Sequence, residues 1–174
     1  MKLIKGFLAI LTVTLSLNTF GQKDCDYQID TSKILLNQNL DSFLNKIQRE
    51  NFSVSRNKNC IPSFIKKQLD CWTHDFSIAN CKEPYNATDL YNKKLPNRQL
   101  LFLALNNDLF VMTYLRGGIG EQTHIVFIMF EDSTIIDLWT GVCLQELTTK
   151  SQVLNYIKNH RDKHWGLNTN MIYF

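Results

Sequence analysis

Apolar positions along the chain fall into two regimes. In "NLDSFLNKIQRE", Leu40, Phe43, Leu44 and Ile47 recur at i, i+3, i+4 and i+7, predicting a helix with one buried stripe and Asn39 as its N-cap. "FSVS" is expected to add a short strand. Ile61, Phe64, Ile65, Leu69 and Trp72 then mark a second helix through "PSFIKKQLDCW", with Lys66, Lys67 and Asp70 facing water. Pro62 suits its first turn, where an N–H would lack an intrahelical partner. A last helix is read in "SQVLNYIKNHRD", with Ser151 as N-cap and Val153, Leu154 and Ile157 facing inward.

Between residues 99 and 139 the period shortens. "QLLFLAL", "LFVMTYL", "HIVFIMF" and "TIIDLW" are apolar runs separated by "NND", "RGGIGEQT" and "EDS". Such punctuation between β-prone runs predicts an antiparallel meander. The first three runs are apolar on both alternating faces, so the sheet should be covered on both sides. "DFSIANC" is a further candidate strand, residues 82–98 a polar connection, and the tail "NTNMIYF" a candidate edge strand. The expected architecture is α+β: an antiparallel meander of four to five strands with about three packing helices.

Composition changes this picture mainly at the N-terminus. Lys2 and Lys5 precede the apolar "GFLAILTVTLSL", and Thr19 and Gly21 sit at the small positions of a signal-peptidase site. Residues 1–21 are therefore read as a cleavable signal peptide and 22–174 as a single domain, secreted or periplasmic. Asp24 before Cys25 argues against lipid attachment, and no segment is long enough for a membrane span. Loss of Lys2 and Lys5 lowers the net charge from +3 to +1, which gives no argument for nucleic-acid binding. Five cysteines in an exported chain predict two disulfides and one odd thiol, with connectivity open.

The candidate chemistry centres on "GEQTHIVFIMFEDSTIIDLWTG", where His124 opens one strand and Asp137 lies in the next. Over about 20 residues this hairpin resembles the papain-like and transglutaminase-like cysteine enzymes, in which a His and an Asp or Asn on neighbouring strands serve a Cys at a helix N-terminus. The resemblance implies a Cys-His-Asp triad for amide or ester hydrolysis or acyl transfer: Cys60 as nucleophile, His124 as base and Asp137 as orienting carboxylate. Cys60 precedes the Pro62 helix, whose dipole favours thiolate. Cys71, in "CWTHDFS", is the rival, although it falls near the end of that helix.

Strand alternation tests the dyad. A three-residue loop, Glu131 to Ser133, puts His124 and Asp137 on opposite faces. A two-residue loop, Glu131-Asp132, sets His124 opposite Trp139 with Asp137 as a same-face diagonal neighbour, but suits that turn chemistry poorly. A four-residue loop restores the common face with an offset of roughly 13 Å. Only the two-residue register supports a dyad, and a β-bulge is the device that would rescue it.

The leading reading is consequently a non-catalytic, exported domain that binds a protein or small-molecule ligand, with the thiol enzyme as alternative. Tyr85, Tyr91, Arg98 and Arg116, in or beside loops, are the candidate recognition residues, since Tyr and Arg often anchor interfaces. "GGIG" at 117–120 is followed by a strand and reads as a flexible hairpin loop; anion-binding loops open a helix instead. His160 and His164 have i, i+4 spacing without an identifiable third ligand, so neither metal nor cofactor is expected. "NAT" at Asn86 is a glycosylation sequon that matters only in a glycosylating host.

Overall fold

The computed structural model describes residues 25–118 and 120–161. The signal-peptide reading of residues 1–21 and the tail strand at 168–174 lie outside them. The helices are α1 (Thr31–Leu35), α2 (Leu40–Arg49), α3 (Ser63–Thr73) and α4 (Lys150–His160). The strands are β1 (Ser53–Ser55), β2 (Arg98–Leu105), β3 (Leu109–Arg116), β4 (Gln122–Glu131) and β5 (Thr134–Cys143). They form a five-stranded sheet in the order β1-β2-β3-β4-β5, with every neighbouring pair antiparallel. The fold is α+β, as the alternation of periods predicts.

Both faces of the sheet are covered. Phe127 and Phe130 lie on β4 with opposite parity and so project to opposite sides. Phe43 of α2 packs on Phe127 with ring centroids 5.8 Å apart, and Phe64 of α3 packs on Phe130 at 5.1 Å. Thr113, cross-strand from Ile125, shares the Phe127 face and donates to the Leu147 carbonyl at 2.5 Å, just before α4. The α3 helix therefore closes one side, and α2 with the α4 region closes the other. This explains why β3 and β4 are buried at successive residues, without polar alternation.

Several local expectations shift by a turn or an element. The α1 helix arises where only a brief apolar run at Ile34, Leu35 and Leu36 is legible; Asp30 caps it by accepting from the Lys33 N–H at 3.0 Å. Pro62 is the N-cap of α3, and Thr149, rather than Ser151, caps α4 by accepting from the Gln152 N–H at 3.2 Å. "DFSIANC" contributes a single parallel bridge, Ala79 to Gln99, in place of a strand.

Asn39 precedes α2 but makes no side-chain cap; its amide instead donates to Asp137 Oδ1 at 2.8 Å and to the Leu138 carbonyl at 2.9 Å. The same Oδ1 accepts from Lys33 Nζ at 2.9 Å and from the Leu138 N–H at 2.9 Å. Asn37, at φ 52°, accepts from the Trp139 indole at 3.0 Å. These bonds latch the α1–α2 turn onto β5, and Asp137 accepts three of them, from Lys33, Asn39 and the Leu138 N–H. Asp137→Ala would leave the Lys33 ammonium and the Asn39 amide without that acceptor, costing about 1–3 kcal/mol of unfolding free energy. Urea unfolding monitored through tryptophan fluorescence measures the loss; an unchanged midpoint would show that the latch contributes nothing.

Candidate functional site

The β4–β5 turn decides the fate of the dyad. Glu131 pairs with Thr134, leaving a two-residue loop, Asp132-Ser133, with φ values of 46° and 66°. Two consecutive positive φ angles are the type I′ solution for a tight hairpin, reached here without glycine. The register then slips: Phe130 pairs with Ile135 but Met129 pairs with Asp137, so Ile136 is the extra residue of a bulge. Beyond it, His124 pairs with Val142, five rungs from the Met129–Asp137 pair and of opposite parity. His124 and Asp137 point to opposite faces of the sheet.

The remaining members of the implied triad are equally dispersed. Cys71 is bonded to Cys25 and cannot be the resting nucleophile. Cys60 carries an exposed free thiol in the 3-10 turn Lys58–Cys60, where its Sγ accepts from the Ser55 hydroxyl at 3.2 Å. That turn follows β1, at the opposite sheet edge from β5. Asp137 is engaged by Lys33 and Asn39. The Cys60–His124–Asp137 set is not assembled.

His124 belongs instead to a buried aromatic and cationic cluster. Its ring stacks on Tyr114 with centroids 5.1 Å apart, and Tyr114 meets Phe76 edge-on at 5.7 Å. The Arg98 guanidinium lies 4.7 Å over the Phe76 ring and donates to the Asp75 carbonyl at 3.3 Å. Arg98, only 6% exposed, is directly cross-strand from Arg116. Burial lowers the Arg98 pKa from its ordinary value, and it raises the Tyr114 phenol well above the usual tyrosine range against the pull of Arg98 and Arg116. Arg98 is thus a mostly buried cation under the sheet end.

The other recognition candidates separate in the same way. The Tyr85 hydroxyl donates to Glu121, tying the connection to the β3–β4 loop. Arg116 is half-buried at the end of β3. Tyr91 is 63% exposed and neighbours Leu90, at 87% the most exposed large apolar side chain described. Leu90 is not among the sequence-based candidates; its signal is a leucine beside a tyrosine inside a polar, proline-bounded connection.

Asn86 explains how that pair is presented. Its amide donates toward the Asn92 carbonyl at 3.0 Å, the Leu95 carbonyl at 2.8 Å and Asn97 Oδ1 at 2.9 Å, and its Oδ1 accepts from the Asn92 N–H at 2.9 Å. Its own N–H donates to the Pro96 carbonyl at 2.8 Å. The ends of the 86–97 segment are therefore tied together around a buried amide, giving a compact loop with Leu90 and Tyr91 near its tip. Asp89, Lys93 and Lys94 are exposed around them. The sequon asparagine is internal, and a glycan on it is incompatible with this loop.

Gly117 completes the seat. A Cβ there would overlap the Asn86 carbonyl oxygen, and the Gly117 N–H donates to the Asn97 carbonyl at 3.1 Å. Gly118 and Gly120 adopt φ of 134° and 90° and serve the hairpin loop.

No protein-family model matches the chain, and neither the curated proteins nor the solved structures searched include a match to it.

Two further features complete the surface. A recess of about 580 Å³ flanks the Cys25–Cys71 bridge, with Lys66 and Lys67 offset by Asp26 and Asp70. His160 stacks on Tyr156 at 4.2 Å, while His164 lies outside the described residues. Among the described residues, no group of three His, Cys, Asp or Glu side chains is placed to hold a metal ion, and no helix is long and apolar enough to cross a membrane.

Gly117→Ala should destabilise the fold by about 1–3 kcal/mol through overpacking against Asn86. Asn86→Asp should loosen the 86–97 loop, because a carboxylate would face three acceptor oxygens; hydrogen exchange of the Asn92 and Leu95 amides reports it. The raised Tyr114 pKa sets the sign of an alkaline effect. Its contribution is complete below the unfolded value of 10.0 and is lost as pH rises above it, because the unfolded chain ionises first. Tyr114→Phe should flatten the decline in unfolding free energy above pH 10 relative to the parent protein, and an identical decline would contradict this.

Proposed function

We propose that the chain is an exported, non-catalytic recognition domain that grips a protein partner through the tip of the 86–97 loop. On this reading residues 1–21 are a signal peptide, residues 22–174 act as one domain, and the Cys25–Cys71 bridge suits an oxidising compartment. One observation carries the proposal: Leu90 and Tyr91 are 87% and 63% exposed on a loop whose base is held by a buried asparagine.

Exposed apolar side chains cost solubility, and a mobile loop would lose entropy on docking. A prefolded loop with an aromatic at its tip avoids most of that loss. Two lysines against one aspartate give the tip a positive rim, suited to an apolar recess edged by carboxylates on the partner. Tyr85, Arg98 and Arg116 support the loop and the adjoining sheet end, and Tyr91 is the recognition candidate that remains outermost. No cofactor, metal or nucleic acid enters this proposal. The alternative thiol enzyme would need a base for Cys60 other than His124.

A benzophenone side chain placed at Leu90 in the native host should yield one discrete protein adduct on illumination. The same probe at Lys66, on α3, should not. Tyr91→Ala combined with Lys93→Glu and Lys94→Glu should abolish the Leu90 adduct while leaving the unfolding midpoint unchanged. Indistinguishable adduct patterns from the two probe positions would defeat the proposal.

A further inference from the structure

We infer that Cys60 and Cys81 are partner thiols that close into a second disulfide, stapling the base of the connection that carries the 86–97 loop. The structure holds three free cysteines of distinct character. Cys60 is exposed, Cys81 is half-buried, and Cys143 is buried with its thiol pushed up to about 11 by desolvation. Cys143 Sγ also donates to the Gln145 carbonyl at 3.2 Å. The odd thiol of the five is therefore Cys143, which stays protonated and shielded.

The other two occupy turns that already touch. The Lys58 N–H donates to Asn80 Oδ1 at 2.7 Å, and Lys58 Nζ lies 4.0 Å from Glu83 Oε2. Cys60 is two residues from one end of that hydrogen bond, and Cys81 is one residue from the other. Both turns are tight and locally braced. Cys60 N–H donates to the Asn57 carbonyl at 3.0 Å, and Glu83 N–H to the Asn80 carbonyl at 3.1 Å across Lys82 at φ 68°. Neither thiol lies in a regular strand or α-helix, so pairing does not break the sheet. A disulfide needs the two Cα atoms within roughly 7 Å, and the Lys58–Asn80 hydrogen bond joins the two turns that carry them.

The chemistry is exchange with a small-molecule disulfide such as oxidised glutathione. Cys60 thiolate attacks one sulfur of the oxidant, forming a mixed disulfide and releasing one glutathione thiolate. Cys81 thiolate then attacks Cys60 Sγ, forming the protein disulfide and expelling the second glutathione thiolate. Two protein thiols lose two electrons and two protons, and the oxidant takes up both. Gln99, whose amide donates to the Glu83 carbonyl at 2.7 Å, links the stapled turn to β2. The bridge would fix the 80–83 turn at both ends.

The test uses the protein isolated with the Cys25–Cys71 bridge intact. After equilibration with oxidised glutathione and denaturation, thiol titration should fall from three groups to one. Cleavage at Phe64, Trp72 and Phe76 puts Cys60, Cys71 and Cys81 on separate peptides, and a non-reduced peptide map should then show Cys60 joined to Cys81. Cys81→Ser should instead trap glutathione on Cys60, and Cys143→Ala should leave the bridge unaffected. Three persisting thiols, stable glutathione adducts on both parent cysteines, or a Cys60–Cys60 dimer would each overturn the inference.

Discussion

The whole arrangement depends on burying both faces of the central meander. Along β3 and β4, successive side chains of both parities are apolar, so neither face can be left to water. Each side must find its own cover, α3 on one and α2 with α4 on the other. A sheet buried on both sides leaves no open surface at its centre for a ligand. Polar side chains that enter it, such as Arg98, Thr113 and His124, are used to hold the interior together. The most exposed large apolar side chain described, Leu90, lies instead on the long 82–97 connection.

The same constraint explains which polar residues are structural. Asp137, Asn39 and Lys33 form a latch where α1 and α2 leave the sheet, because the β5 edge and the turn between those helices expose backbone groups that need partners. Asn86 performs the equivalent service for the 86–97 loop. At the β2–β3 hairpin, Asn106 Oδ1 accepts from the Asp108 and Leu109 N–H groups at 3.1 and 2.7 Å. In each case a short amide or carboxylate satisfies backbone or neighbouring donors that a turn would otherwise strand.

Legibility in the sequence follows the range of the interaction. The stripes Leu40-Phe43-Leu44-Ile47 and Ile61-Ile65-Leu69 write α2 and α3 in local periodicity, and the four apolar runs write β2 to β5. The α1 helix is too short for a periodic signal. Its cap at Asp30 is a three-residue contact, and its purpose appears only through Lys33 and Asp137, 104 positions apart. The role of Asn86 was hidden for a similar reason: a sequon pattern says nothing of four loop partners that exist only once the loop closes. One bridge, Cys25–Cys71, is present where the cysteine count suggested two, and it removes the Cys-Trp cysteine from the candidate nucleophiles.

The β4–β5 hairpin shows how a turn and one added residue set which side chains share a face of the sheet. A two-residue turn without a bulge would have carried one parity through the whole hairpin; Ile136 inserts one extra residue and inverts it. Its side chain is 48% exposed, so the bulge expels an isoleucine toward solvent while returning Leu138 and Trp139 to burial. Burying a tryptophan is worth more than burying one isoleucine, and the inner half of β5 consequently fixes the register. The bulge puts His124 and Asp137 on opposite faces as a by-product of that packing preference. The turn had already set them apart: with Glu131 paired to Thr134, an unbulged β5 would place Asp137 opposite Ile128, four positions or roughly 13 Å from His124 along the strand.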